Sequence, residues 1–116
     1  MKNISRLVMV IGFVCVTSLA FAHPASEVVL TLDAETKELS VNISHQVSNP
    51  ERHYIDQVNI MVNGKAVINE ALTKQDTAAG ETLKFPLPDV NSGDIINVDT
   101  HCNKGGNLAS EITAKF

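Results

Sequence analysis

The sequence predicts an all-β protein, built as an antiparallel sandwich of about seven short strands. Apolar and polar residues alternate in several short runs between residues 28 and 112, and turn-forming residues separate these runs. Alternation with a period of two is typical of strands that bury one face. Because the runs are short and regularly spaced, they favour a sandwich over a helical or mixed fold.

Four runs carry the alternation, and each places one row of side chains on a buried face. These rows are Val28, Leu30 and Leu32; Leu39, Val41, Ile43 and His45; Val58, Ile60 and Val62; and Ile96, Val98, Thr100 and Cys102. Asn63-Gly64 predicts a tight hairpin into a strand over residues 66–68, because both turn positions favour positive φ. Strands are also expected over 83–87 and 108–112, and residues 70–77 could hold one helical turn.

The amino-terminal residues 1–22 have the organisation of a secretory signal peptide. Lys2 and Arg6 precede an apolar run over residues 7–16, and Ala20-Phe21-Ala22 provides the small-residue cleavage site. The apolar run is shorter than the roughly 20 residues that a bilayer span requires. We therefore expect cleavage after Ala22, export across the inner membrane to the periplasm, and no stable membrane anchor.

Cys15 is expected to leave with the signal peptide. A lipid-attachment cysteine needs a small residue directly before it, whereas Val14 precedes Cys15. Removal of residues 1–22 from the 116-residue chain leaves a single domain of 94 residues, 23–116. The net charge changes from −4 to −6, because the removed segment contains two basic residues and no acidic one. An acidic domain without a basic run argues against nucleic acid as a partner.

Five residues of the predicted mature domain have side chains suited to a transition metal. They are His23, His45, His53, His101 and Cys102. Imidazole and thiolate are ligands for iron, copper and zinc. Cys102 has no second cysteine in this domain with which to form a disulfide. The ligand candidates are scattered along the chain, so only the fold can bring them together. His101 is expected to point to the opposite face from Cys102, because neighbouring strand residues alternate.

Two segments of the chain resemble a known family of iron proteins. The first is Asn-Pro-Glu-Arg-His-Tyr-Ile at residues 49–55, and the second is His-Cys-Asn-Lys-Gly-Gly at residues 101–106. They are similar to the His-Tyr-Ile or His-His-Ile and Cys-Asn-x-His-Gly motifs of desulfoferrodoxin and neelaredoxin, the superoxide reductases. The resemblance extends over roughly residues 39–112. It implies an immunoglobulin-like sandwich of seven strands.

The resemblance also implies a ligand set for mononuclear non-haem iron. In that family four histidines and one cysteine hold the iron, with the cysteine trans to an open position where superoxide binds. His53 matches the histidine of His-Tyr-Ile, and Cys102 matches the cysteine of Cys-Asn. His45 and His23 are the candidates for further ligands, while the family's second carboxyl-end ligand falls on Gly105, which has no side chain.

The implied activity is reduction of superoxide by ferrous iron, with a small redox protein as electron donor. Lys65 or Lys104 could supply positive charge for the anion. A second interpretation is a periplasmic copper or zinc carrier, in which the free amine and ring of an amino-terminal His23 chelate copper with another histidine. A third is a non-catalytic interaction module, because the sandwich also resembles subunits of the thiosulfate-oxidation carrier complex. Those subunits carry their cysteine on a terminal arm, whereas Cys102 is followed by a further strand.

Overall fold

The computed structural model describes residues 23–116, and the predicted signal peptide, with Cys15, lies outside the described residues. Within the described range the regular secondary structure consists of seven strands. They are β1 (Glu27–Leu32), β2 (Glu38–Ser44), β3 (Ile55–Val62), β4 (Lys65–Ala71), β5 (Gly80–Pro86), β6 (Ile95–Cys102) and β7 (Asn107–Thr113). No helix among residues 23–116 has the length and apolar character of a membrane span.

The strands form two antiparallel sheets that pack as a sandwich, which confirms the predicted fold class. One sheet has the order β1-β2-β5, and the other has the order β4-β3-β6-β7. This order differs from that of constant-type immunoglobulin domains in one strand, because β4 pairs with β3 rather than with β5.

The helical turn considered for residues 70–77 is wrong. The sheet extends through Glu70 and Ala71, which pair with Val58 and Gln57 of β3. The remaining residues form a loop that returns to β5.

The core lies between the inward rows of the two sheets, as the alternation predicts. On β2 the side chains of Leu39, Val41 and Ile43 are buried, and the row continues to His45 directly after the strand. On β6 the corresponding row ends at Cys102. Burial of one large aliphatic side chain contributes about 1.5–3 kcal/mol, so these rows fix which face of each strand is inside.

The β3–β4 hairpin has the predicted tight turn. Asn63 and Gly64 have φ angles of 51° and 83°, and Val62 pairs with Lys65 across the turn. Positive φ at both central positions is the type I′ arrangement that matches the twist of the flanking strands. Ile60 of β3 is fully buried, which confirms the side of the strand that faces the core.

Substitutions in this hairpin should separate turn strain from core packing. Gly64→Val should lower the free energy of unfolding by about 1–2 kcal/mol, because a β-branched residue is strained at positive φ. Ile60→Val should lower it by about 1 kcal/mol through the lost methyl group. Val67→Thr on β4 is the control, because this side chain is 49% exposed. Denaturant unfolding measures all three, and a wild-type value for both Gly64→Val and Ile60→Val would contradict the register.

Candidate metal centre

Three histidines from separate segments meet at one end of the sandwich. His45 follows the last residue of β2, and His53 lies in the turn before β3. His23 lies in the segment that leads into β1. The turn that carries His53 is closed by its own backbone, since the His53 N–H donates to the Asn49 carbonyl oxygen at 2.9 Å. Strand ends and connecting turns therefore position these side chains.

The three imidazole rings are evenly spaced. Each pair of ring centroids is 4.9 Å apart, and one potential ligand atom from each residue lies within 4.8 Å of the others. The side chain of His45 is fully buried, while His23 and His53 are partly exposed. Two nitrogens that each bind one metal at about 2.0–2.1 Å lie at most about 4.2 Å apart, so the rings would have to move closer together on binding. With that movement the group could hold a metal ion.

Hydrogen bonds engage the Nδ1 atom of two of these rings. His45 Nδ1 is 2.8 Å from Gln75 Oε1, and His23 Nδ1 is 3.0 Å from the Pro24 carbonyl oxygen. Both partners are acceptors, so Nδ1 carries a proton in each ring. His45 Nε2 in turn lies 3.1 Å from the His23 carbonyl oxygen, so it is a ligand atom only in the neutral ring. The Nε2 atom is therefore the potential metal ligand on His45 and on His23. An imidazole ligand whose other nitrogen donates to an oxygen is the usual arrangement at metal sites.

His53 supplies a nitrogen that is buried without a partner. Its Nε2 atom has no hydrogen-bond partner within residues 23–116. The pKa of His53 lies below its usual value, chiefly because burial disfavours the charged ring, and further because His45, His23 and Lys104 would add positive charge nearby. An unpaired buried polar atom costs about 1–3 kcal/mol. A bound cation would remove that cost.

Cys102 ends the inward row of β6 and is fully buried. Its Sγ atom accepts a hydrogen bond from the Lys104 backbone N–H at 3.4 Å. The thiol is not a member of the three-imidazole group. Its backbone nevertheless pairs with Ile55, two residues after His53.

The turn after Cys102 contacts both of the segments that carry His23 and His53. Asn103 binds the backbone of Tyr54 on both sides: its Oδ1 accepts from the Tyr54 N–H at 2.9 Å, and its own N–H donates to the Tyr54 oxygen at 3.0 Å. Gly106 lies against Pro24, and a Cβ at this position would be 2.9 Å from Pro24 Cδ. The cysteine turn is thereby packed against the neighbours of two of the histidines.

His101 lies apart from the group, on the face that the alternation predicts. Its Nδ1 is 2.7 Å from Asp56 Oδ1 in a partly exposed hydrogen bond. Gln75, by contrast, belongs to the site and was not predicted. It lies within a polar stretch, so periodicity gives no indication that it is buried. Only the folding of its loop over the end of β2 reveals its contact with His45.

No protein-family model matches the chain, and no curated protein matches it. Function is therefore inferred from the chemistry of these side chains.

The lowered pKa of His53 should make the metal-free protein less stable in acid. The unfolded chain takes up a proton at this residue near pH 6.5, whereas the folded chain does so only at lower pH. The stability that comes from keeping His53 neutral is fully present above pH 6.5. It is lost as the pH falls towards the pKa of His53 in the folded protein. Denaturant unfolding of wild type and His53→Gln between pH 5 and 8, with chelator present, should show a steeper loss in wild type. If the free energy of unfolding fell equally with pH in both proteins, the lowered pKa of His53 would be contradicted.

Proposed function

We propose that this protein is an exported transition-metal-binding protein in which His23, His45 and His53 supply three imidazole ligands. The observation that carries the proposal is a group of three evenly spaced rings, in which His53 has a buried Nε2 without a partner among the described residues. Buried polar atoms without partners are rare and call for an explanation. Neutral imidazole suits iron, copper and zinc, whereas magnesium and calcium favour oxygen ligands.

Cys102 is the proposed fourth ligand. Its turn packs against Pro24 and binds Tyr54, so it adjoins two of the imidazole-bearing segments. The Lys104 N–H donates to Sγ, and the form of this side chain that binds metal is the thiolate. A soft thiolate beside three imidazoles favours iron or copper over a hard cation.

With iron as the metal, the site supports the superoxide reductase activity that the sequence resemblance implies. Ferrous iron would supply the electron for superoxide, and a small redox donor would restore it. Of the two lysines considered, Lys104 is the better source of positive charge, since its charge acts on His53. Lys65 follows β3 whereas His53 precedes it, and eight strand residues place them roughly 26 Å apart.

A copper or zinc carrier is the second candidate function. It is favoured by the absence of the Cys102 thiol from the three-imidazole group, because three histidines with one open position form a familiar zinc arrangement. Chelation of copper by the amine and ring of His23 would use Nδ1, which here donates to the Pro24 oxygen. That form of the site requires the His23 ring to turn. A swinging cysteine arm is not supported, because Cys102 is buried and precedes β7.

Metal titration of the mature protein tests these functions. Intact-mass measurement of the exported protein should first show that it begins at His23. Fe(II) followed by oxidant, or Cu(II), should produce a visible thiolate-to-metal band. Cys102→Ser should abolish the band, and His53→Ala should weaken binding. His101→Ala is the matched control, since this ring lies outside the group.

The outcomes separate the candidates. Failure of wild type to take up iron, copper or zinc would contradict the proposal. Uptake without a Cys102-dependent band would favour the copper or zinc carrier. One extra alanine before His23 keeps the ring and removes the chelating amine, so a large loss of Cu(II) affinity in that variant would identify the amino-terminal chelate. Superoxide consumption by the iron-loaded protein tests catalysis.

The contact between Gly106 and Pro24 gives an independent test of the site's assembly. Gly105 and Gly106 have φ angles of 121° and 96°, so alanine at either position should cost about 1 kcal/mol of stability or more. A Cβ at Gly105 meets nothing within 4 Å, whereas at Gly106 it displaces Pro24. Gly106→Ala should therefore lower metal affinity by about tenfold more than Gly105→Ala. Equal affinities in a competitive titration would show that this contact does not position His23.

A further inference from the structure

We infer that Gln75 is a positioning residue of the metal site, because its side-chain oxygen holds His45 in the tautomer that leaves Nε2 unprotonated, with a lone pair for the metal. The inference rests on the proposed metal-binding function. It adds a residue from the loop between β4 and β5 to the three imidazoles and the Cys102 thiol that are the proposed ligands.

The orientation of the Gln75 amide follows from its three partners. Its Nε2 donates to the carbonyl oxygens of His45 at 2.8 Å and of Thr77 at 2.9 Å. Both carbonyls can only accept, so the amide nitrogen must lie on their side. The amide oxygen is then the atom 2.8 Å from His45 Nδ1. Since an amide oxygen can only accept, Nδ1 must donate.

The loop that carries Gln75 is itself held in place. The Gln75 N–H donates to the Pro50 oxygen at 3.0 Å, in the turn that also carries His53. The His45 N–H donates to the Ala79 oxygen at 2.9 Å. The side chain of Gln75 is only 3% exposed, so water does not compete for its bonds. Gln75 therefore connects His45 to the turn of His53 through fixed contacts.

Without Gln75, His45 would have a competing hydrogen bond. His45 Nε2 is 3.1 Å from the His23 carbonyl oxygen. If the proton moved to Nε2, it would donate to that oxygen, and the ligand lone pair would be lost to the metal. In the neutral ring with Nδ1 protonated, two acceptors face each other across this distance, and a cation near Nε2 would relieve their repulsion. Gln75 thus keeps the ligand atom from being blocked.

Gln75→Leu tests the inference directly. In the metal-free variant above neutral pH, ¹⁵N NMR should show His45 moving to the tautomer with the proton on Nε2. Affinity for Zn(II) or Fe(II) should fall about 10- to 100-fold, the usual effect of removing such a partner. Gln57→Leu is the matched control, because Gln57 is a partly buried strand residue that donates to Asn59.

Gln75→Glu separates positioning from a purely structural role. The carboxylate keeps an acceptor for Nδ1–H, but it loses the donor to His45 and Thr77 and places negative charge beside their carbonyl oxygens. This variant should be less stable than wild type yet retain the wild-type tautomer and near wild-type metal affinity. A structural role alone would lower affinity in step with stability in both variants.

The results distinguish this inference from the function on which it rests. If wild type binds metal while Gln75→Leu keeps the wild-type tautomer and affinity, the positioning role is overturned and the metal site stands. If wild type binds no metal, the proposed function fails, and the ligand role of Nε2 fails with it. If Gln75→Leu does not fold, a changed tautomer or a 10-fold weaker affinity in folded Gln75→Glu overturns the inference.

Discussion

The inward row of β2 is the constraint on which the site depends. Leu39, Val41 and Ile43 are buried in the core, and the next inward position is His45. Because side chains alternate along a strand, a slip of one residue would expose all three aliphatic side chains and turn the imidazole outward. Each exposure would cost about 1.5–3 kcal/mol. Core packing therefore holds His45 at the end of the sandwich, where the other two rings meet it.

The other sheet brings its own row to the same end. Thr100 and Cys102 are buried on β6, and Asn103 binds the Tyr54 backbone directly after His53. These hydrogen bonds give the His-Tyr-Ile and Cys-Asn segments a physical connection. The first segment carries the His53 imidazole. The second carries the Cys102 thiol and the Asn103 amide, which binds the backbone of Tyr54 next to His53. The two segments are far apart in sequence, and the antiparallel pairing of β3 with β6 makes them adjacent.

The parts of this structure that were predictable depend on local rules. Alternation identified the buried faces that include His45 and Cys102, and Asn63-Gly64 identified the hairpin, because both signals arise within a few residues. The meeting of His23 with His45 and His53 was not fixed by spacing, since it depends on how connecting segments pack on the finished sandwich. Gln75 was missed for the same reason: its burial follows from a loop closing over β2, and no pattern within residues 72–79 encodes that closure.

The energetics of this end of the core explain why a ligand is expected there. His53 Nε2 is buried without a partner, and His45 Nε2 faces the His23 carbonyl oxygen at 3.1 Å. Apolar side chains of similar volume would avoid both the unpaired nitrogen of His53 and the two facing acceptors at His45. Stability alone therefore does not account for three imidazoles here. Local conflicts of this kind are expected at functional sites. A cation resolves both conflicts at once, because it supplies a partner for His53 Nε2 and separates the two acceptors at His45. In the proposed function, the choice between iron and a copper or zinc ion depends on Cys102. To become a fourth ligand, its sulfur must give up or share the hydrogen bond from the Lys104 N–H.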